Sequence, residues 1–232
     1  MEIAILMAAG LGTRMRPLTE STPKPLIKVN GKPMIETVID GLEGHGVDKI
    51  YVVTGYLAEQ FEYLRDKYTN LELVNNSEYM VKNNISSIYA VRNIMRTADC
   101  FICEADLYVS DPAIFDIPHE CSCYYGKFVS GHSDDWVFDM DGDRIVRVGK
   151  SGDDTYNMVG VSYFTQKDAE IISDAVCETY GKEGHEKLFW DEVVDENIDK
   201  LNLGICPVDG SQIVELDTCE ELKAFEQRQK GM

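Results

Sequence analysis

The sequence lacks long apolar runs and clusters of basic residues. No stretch is apolar for long enough to cross a membrane, and the strand-like run that starts at Ile3 is not preceded by the charged region of an export signal. The formal net charge is −19, from 41 acidic and 22 basic side chains. A chain of that charge repels nucleic-acid backbones and anionic membranes, so we expect neither as a partner.

Cysteine and histidine patterns typical of metal or redox sites are also scarce. The seven cysteines include one Cys-x-x-Cys pair, Cys100 and Cys103, which lies in an apolar run that predicts a buried strand. None of the four histidines has the spacing of a catalytic triad or a metal site. An odd number of cysteines without a disulfide framework favours a reducing compartment, so we expect a cytoplasmic protein.

The N-terminal glycines match neither of the two common phosphate-binding loops. A Walker A loop needs Gly-Lys followed by Ser or Thr, and a dinucleotide fingerprint needs a third Gly or Ala where this chain has Met15. The chain instead has a run of small residues, Ala8-Ala9-Gly10-Leu11-Gly12, followed by Thr13 and Arg14. Such a backbone can point N–H groups at an anion, and Arg14 and Lys24 add positive charge. These features predict a nucleoside triphosphate site.

Strand-like and helical patterns alternate in the N-terminal half. Apolar runs predict strands at Ile3–Met7, Lys49–Thr54, Leu71–Val74 and Cys100–Cys103. Helical spacing predicts one helix face at Leu57, Phe61, Leu64 and Tyr68, and another at Ile85, Ile88, Val91 and Met95. This order predicts a parallel sheet that binds ligands beyond the carboxyl ends of its strands.

The pattern changes after about residue 120. Short strands are predicted around a turn at Asp141-Gly142-Asp143 and at Val159–Phe164. Helices follow at Asp168–Tyr180 and near Lys187–Ile198, then a strand at Ile213–Leu216 and a final helix capped by Asp217 or Thr218. We predict a single domain over residues 1–232. Its fold class is α/β, with a Rossmann-like, mixed, mostly parallel central sheet flanked by helices and a small C-terminal substrate-binding extension.

Acidic and aromatic residues supply the other candidate site groups. Asp106 follows a predicted central strand, where a carboxylate can hold Mg²⁺ on a triphosphate. The candidates for a second carboxylate are Asp191, Glu192, Glu215 and Asp217. Both tryptophans, Trp136 and Trp190, adjoin acids, and an aromatic ring beside acids is a plausible site for an organic cation.

Longer motifs indicate a family. Two motifs resemble the signature of nucleotidylyltransferases that join an NTP to a phosphorylated small molecule. They are Gly-x-Gly-Thr-Arg-x-Arg-Pro-Leu-Thr, which starts at Gly10, and Pro-Lys-Pro-Leu, which starts at Pro23. With residues 47–50, 53–64, 83–87, 104–106, 136 and 187–191, the chain resembles the bacterial CTP:phosphocholine cytidylyltransferases nearly end to end. The resemblance implies a nucleotide-diphospho-sugar transferase-like fold and the Mg²⁺-dependent transfer of CMP from CTP to phosphocholine.

The resemblance also implies roles for individual residues. Asp106 and Asp191 would hold Mg²⁺ and, with Arg14 and Lys24, form the catalytic set. The predicted nucleotide-binding residues are Leu6, Ala8, Ala9, Gly10, Gly12, Thr13, Arg14, Lys24, Asn83, Ser87 and Ala105. The predicted acceptor-binding residues are Trp136, Phe189, Trp190 and Glu215. Two positions depart from the family pattern, because Glu104 and Phe189 stand where relatives commonly have Asp and Tyr.

Alternative functions remain open at this point. The acceptor could be 2-aminoethylphosphonate or a sugar 1-phosphate, and Pro-Lys-Pro-Leu is typical of the sugar enzymes. An acceptor with an ammonium group is instead favoured by three aromatic residues and one acid, namely Trp136, Phe189, Trp190 and Glu215. A nucleotide-binding regulatory module without turnover is a further alternative, and the intact Lys24, Asp106 and Asp191 argue against it.

Overall fold

A mixed sheet forms the centre of the computed structural model, which describes residues 1–230. The strands are β1 (Glu2–Ala8), β2 (Lys28–Val29), β3 (Lys32–Pro33), β4 (Lys49–Thr54), β5 (Leu71–Asn75), β6 (Asp99–Glu104), β7 (Leu107–Val109), β8 (Ser122–Ser133), β9 (Val137–Asp141), β10 (Arg144–Gly149), β11 (Gly152–Phe164), β12 (Leu203–Pro207) and β13 (Ile213–Glu215). The helices are α1 (Met34–His45), α2 (Tyr63–Lys67), α3 (Ile85–Met95), α4 (Gln166–Tyr180), α5 (Trp190–Glu196) and α6 (Cys219–Lys230).

The central sheet has nine strands in the order β5-β4-β1-β6-β11-β8-β12-β10-β9. Strands β5, β4, β1 and β6 are parallel, and Leu6 of β1 lies between Val52 of β4 and Cys103 of β6. Strand β11 is antiparallel to β6 and β8, and β12 returns parallel to β8. Strand β9 pairs with both β10 and β11, so the last strands close on themselves. The predicted α/β class with a mixed central sheet is confirmed.

Helices cover both faces of this sheet. On one face, α1 packs through Ile35, Val38 and Leu42 against the strands, and on the other face α3, α4 and α5 form a second apolar cluster. Parallel strands that are buried on both faces need continuous apolar sequences, which explains the apolar runs of β1, β4 and β6. Among the described residues, no helix has both the length and the apolar character needed to span a bilayer.

The C-terminal segment packs beside the nucleotide loop. Strand β13 pairs with β7, and α6 joins a third apolar cluster that contains Met15, Leu216 and Phe225. The helix begins after Thr218, whose Oγ1 accepts a hydrogen bond from the Glu221 N–H at 3.1 Å, as predicted for its N-cap. This arrangement brings the residues after β13 to the carboxyl ends of β1 and β6.

The structure differs from the predicted elements at several places. Helix α1 was not predicted, although its buried residues have helical spacing, because Gly41 and Gly44 lower its helix propensity. The predicted helix over residues 57–68 is a 3₁₀ turn, Ala58–Phe61, followed by the short α2. Its apolar residues are nevertheless buried, since Phe61 and Leu64 both point into the core. Strand β8, with 12 residues, was not predicted, and β11, with 13 residues, begins before the predicted strand Val159–Phe164.

Gly41 and Gly44 provide a matched test of packing under α1. A Cβ at Gly41 would lie 2.7 Å from ring carbons of the buried Phe115, whereas a Cβ at Gly44 would meet nothing within 4 Å. We expect Gly41→Ala to lower the free energy of unfolding by about 1–2 kcal/mol, because overpacking outweighs the gain in helix propensity. Gly44→Ala should raise it by about 0.5–1 kcal/mol. Urea unfolding measures both, and equal stabilisation would contradict the tight contact.

Candidate active site

A cavity of about 770 Å³ opens beyond the carboxyl ends of β1 and β6. The loop that follows β1 lines this cavity, and so do the rings of Trp136 and Phe189. Most predicted site residues line it, namely Ala8, Ala9, Gly10, Gly12, Thr13, Arg14, Lys24, Asn83, Ser87, Asp106, Trp136, Phe189 and Glu215. The cavity therefore has the position that the sheet topology predicts for a ligand site.

The loop after β1 is built closely around the stem of Lys24. Gly12 has a φ of 59°, and a Cβ at this position would lie 2.8 Å from the Lys24 Cβ. The Gly12 carbonyl accepts a hydrogen bond from Thr19 Oγ1 at 2.8 Å. Only glycine combines the left-handed backbone with this close approach, so the motif fixes the loop against the lysine.

Lys24 places a buried ammonium among acidic side chains. The residue is 6% exposed, and its Nζ lies 2.6 Å from Asp106, 2.6 Å from Asp217 and 3.7 Å from Glu215. Burial alone would lower the pKa of Lys24, but charge attraction and hydrogen bonds from Asp106 and Asp217 outweigh burial and raise it. Lys24 is therefore charged, and it connects the loop to two other segments of the chain.

Three carboxylates meet beside that ammonium. Oxygens of Glu104, Asp106 and Glu215 all lie within 4.8 Å of one another. Burial and the neighbouring Asp106 and Glu215 hold the pKa of Glu104 well above its ordinary value, and burial with Asp106 and Asp217 raises the pKa of Glu215 to about 8. The three carboxylates therefore cannot all stay ionised beside one lysine unless a further cation balances their charge. An oxygen-only group of this kind fits a hard divalent cation such as Mg²⁺.

Asp217 ties the C-terminal segment to both cations of the loop. Its carboxylate lies 2.8 Å from Arg14 Nη1 as well as 2.6 Å from Lys24 Nζ. Burial opposes ionisation, but the hydrogen bond and charge of Lys24, with the charge of Arg14, lower the pKa of Asp217. Asp217 was predicted only as one of four candidate acids, because its contact with Arg14 depends on the pairing of β13 with β7.

Four predicted site residues lie behind the cavity wall. Leu6 and Ala105 are fully buried, and Trp190 packs in the core against Tyr124 and Phe164. The carboxylate of Asp191 is also buried and accepts a hydrogen bond from the Tyr124 hydroxyl at 3.0 Å. Among the described residues, the carboxylate group contains Asp106 but not Asp191, so the Asp106–Asp191 metal pair stays a prediction.

The wall beside Asn83 and Ser87 joins two distant segments. Asn76, which was not predicted, donates from Nδ2 to the hydroxyls of Ser86 and Ser87 at 2.9 and 3.2 Å. The backbone N–H of Asn83 donates to the backbone carbonyl of Glu186 at 2.8 Å. The Asn84 side-chain oxygen accepts a hydrogen bond from the backbone N–H of Trp190 at 2.9 Å. These bonds hold the start of α3 against the start of α5, where a base or ribose could contact polar groups.

The far end of the cavity is an aromatic corner formed by Trp136 and Phe189. Their ring centroids lie 5.5 Å apart with the planes at 69°. Asp134 and Asp135 line the cavity beside them, as does Lys150, which was not predicted. The loop cations with their carboxylate partners therefore line one part of the cavity, and the aromatic corner with Asp134, Asp135 and Lys150 lines another.

Comparison with known proteins identifies the family of the chain. The family model for the MobA-like NTP transferase domain matches residues 4–122. The chain is 56% identical to a 2-aminoethylphosphonate cytidylyltransferase from Lancefieldella rimae, over 96% of this chain and 91% of the relative. The chain belongs to the MobA-like NTP transferase family, among its cytidylyltransferases.

Two further similarities support this cytidylyltransferase assignment. A choline-phosphate cytidylyltransferase from Streptococcus pneumoniae is 34% identical over 97% of this chain and 96% of the relative. The solved structure of the CTP:phosphocholine cytidylyltransferase from Streptococcus pneumoniae matches with a TM-score of 0.90 and 32% identity, over 98% of this chain and 99% of that one. The predicted superfamily is confirmed, and these relatives have different acceptors.

The buried Asp191 predicts a pH dependence of the stability of this cytidylyltransferase. Burial raises the pKa of Asp191 to about 7 from an ordinary value of 3.8. The folded state then holds a proton that the unfolded state has lost, so stability falls as pH rises from about 4 to about 7. Compared with Asp191→Asn, the wild type should lose stability over this range, by at most about 4 kcal/mol at 1.36 kcal/mol per pKa unit.

Urea unfolding at pH 5 and pH 8 in EDTA checks this expectation. Asp174→Asn, at a mostly exposed carboxylate, controls for the removal of one negative charge. If the free energies of unfolding of the wild type and Asp191→Asn change in parallel with pH, Asp191 is ionised throughout, as a metal ligand would be. That result would rule out a buried neutral carboxyl.

Proposed function

We propose that the chain transfers CMP from CTP to 2-aminoethylphosphonate and releases pyrophosphate. The observation that carries this proposal is the 56% identity to the 2-aminoethylphosphonate enzyme, over 96% of this chain. The choline-phosphate enzyme that supports the original phosphocholine hypothesis is 34% identical. We therefore favour 2-aminoethylphosphonate, one of the alternative acceptors, over phosphocholine.

The cationic end of the cavity suits the triphosphate of CTP. The loop from Ala8 to Thr13 lines the cavity, and the charges of Arg14 and Lys24 lie beside it. A phosphonate oxygen of the acceptor would attack the α-phosphorus, and the bond from that phosphorus to the pyrophosphate oxygen would break. The oxygen already carries negative charge, so no general base is required. Lys24 would stabilise the charge that grows on the departing pyrophosphate.

The carboxylate group gives a place for Mg²⁺. Asp106, with Glu104 beside it, would hold the ion through oxygen ligands, which leaves Glu215 for the acceptor. When bound, Mg²⁺ neutralises negative charge on the triphosphate and the acceptor. Because Lys24 already contacts Asp106 and lies 3.7 Å from Glu215, the protein supplies a fixed cation at the same place.

The acidic groups suit the amine of the proposed acceptor. A primary ammonium can donate three hydrogen bonds through its N–H groups. Carboxylates at the cavity wall, such as those of Glu215, Asp134 and Asp135, can accept them. Only two carbons separate nitrogen from phosphorus in 2-aminoethylphosphonate, so both of its charged ends must be bound within a short distance. The cavity offers cations and carboxylates that close together, since Lys24 lies 3.7 Å from Glu215.

Phosphocholine is the second candidate acceptor. The inclined rings of Trp136 and Phe189 present two aromatic faces of the kind that bind a quaternary ammonium. The fold is also similar to the solved phosphocholine enzyme over nearly the whole chain. A sugar 1-phosphate lacks a positive charge for the acidic end, which disfavours it as acceptor.

An acceptor screen tests the proposed function. Pyrophosphate release with CTP should give a kcat/KM at least about tenfold higher for 2-aminoethylphosphonate than for phosphocholine or glucose 1-phosphate, the factor for about 1.4 kcal/mol of discrimination. EDTA should abolish the activity, and Mg²⁺ should restore it. Asp106→Asn serves as the control for contaminating enzymes. A preference for phosphocholine or glucose 1-phosphate would overturn the acceptor assignment.

A further inference from the structure

The aromatic corner already holds a cation that belongs to the protein. Lys150 Nζ lies 4.8 Å from the ring centroid of Trp136 and 4.8 Å from that of Phe189. Both distances are within the range of cation–π attraction. The lysine therefore occupies the place between the rings where the ammonium of a choline headgroup would be expected.

One carboxylate fixes both the lysine and an aromatic wall. Glu192 Oε1 accepts from Lys150 Nζ at 2.7 Å, and Glu192 Oε2 accepts from the Phe189 N–H at 2.9 Å. Lys150 itself lies in the short link between β10 and β11, so the sheet determines where its side chain starts. The Lys150 side chain is thus positioned at its base by the backbone of the sheet and at its ammonium by Glu192.

We propose that Lys150 is a specificity-determining residue that keeps a trimethylammonium group out of the aromatic corner; this inference rests on the proposed function. A trimethylammonium has no N–H donors and depends on aromatic faces for binding. To reach those faces it must displace Lys150 from Glu192, or bring a second positive charge beside the first. A primary ammonium avoids this conflict, because it can bind carboxylates of the cavity while Lys150 stays in place.

Binding of tetramethylammonium tests the inference without turnover. The sequence has two tryptophans, so the indole N–H of Trp136 can be followed by NMR, with that of the buried Trp190 as an internal reference. Lys150→Met removes the charge but keeps an unbranched apolar side chain. We expect tetramethylammonium to shift the Trp136 signal at concentrations at least tenfold lower in Lys150→Met than in the wild type. Lys150→Arg, which retains a cation, should behave as the wild type does.

Lys82→Met is the matched control. Lys82 also lines the cavity, but it pairs with Glu78 and lies 4.0 Å from the Tyr180 ring centroid, away from the aromatic corner. Its loss removes one positive charge from the cavity without opening the corner. The ratio of kcat/KM for phosphocholine to that for 2-aminoethylphosphonate should rise at least tenfold in Lys150→Met and stay unchanged in Lys82→Met.

The outcomes separate this inference from the proposed function. Equal tetramethylammonium affinity in the wild type and Lys150→Met overturns the role of Lys150, whichever acceptor the wild type uses. An unchanged acceptor ratio in Lys150→Met does the same. A wild type that prefers phosphocholine overturns the proposed acceptor, and the NMR titration then still decides whether Lys150 restricts access to the corner.

Discussion

The ion pairs of the buried Lys24 ammonium are the interaction on which the rest of the site depends. They join segments that are far apart in the chain, because Lys24 follows the glycine loop, Asp106 follows β6, and Asp217 follows β13. A buried charge is strongly unfavourable without partners, so these segments must assemble together. The same contacts place a fixed positive charge in a chain whose net charge is −19. In the proposed function, a triphosphate would need a bound cation in addition to Lys24 and Arg14, because both side chains are already paired with carboxylates.

The distribution of charge in the cavity follows from this arrangement. Arg14 and Lys24 line the cavity together with their carboxylate partners, and Asp134 and Asp135 line it beside the aromatic corner. Such a cavity matches a nucleotide that is purely anionic and an acceptor that carries both signs of charge. In the proposed function, the acceptor would be selected by how its positive end interacts with carboxylates, aromatic rings and the Lys150 ammonium.

The sequence predicts the parts of this molecule whose signals are local. The apolar runs of β1, β4 and β6 indicate buried parallel strands, and the glycine loop with Arg14 and Lys24 indicates phosphate binding. Helix α1 is harder to recognise, because Gly41 is required for contact with Phe115 and weakens the helical signal. The chemical class of the reaction was also predictable from the sequence, whereas the proposed acceptor rests on the comparison with relatives.

Other features depend on tertiary contacts that no local pattern reveals. Trp136 and Trp190 both stand beside acids in the sequence, but the fold exposes the first to the cavity and buries the second against Tyr124 and Phe164. Asp191 follows Trp190 into the first turn of α5 and is buried with it. Lys150 and Glu192 are distant in the chain and meet only because α5 packs beside β10.

The most direct test of the central role of Lys24 is the steady-state kinetics of Lys24→Met with CTP. Lys28→Met, at an exposed lysine in the same segment, is the control, and urea unfolding checks that both variants are folded. We predict that Lys24→Met lowers kcat by more than about 100-fold, with a smaller change in KM for CTP. A loss of this size is typical for one electrostatic stabiliser of a transition state. A higher KM with unchanged kcat would contradict it, because Lys24 would then contribute only to ground-state binding.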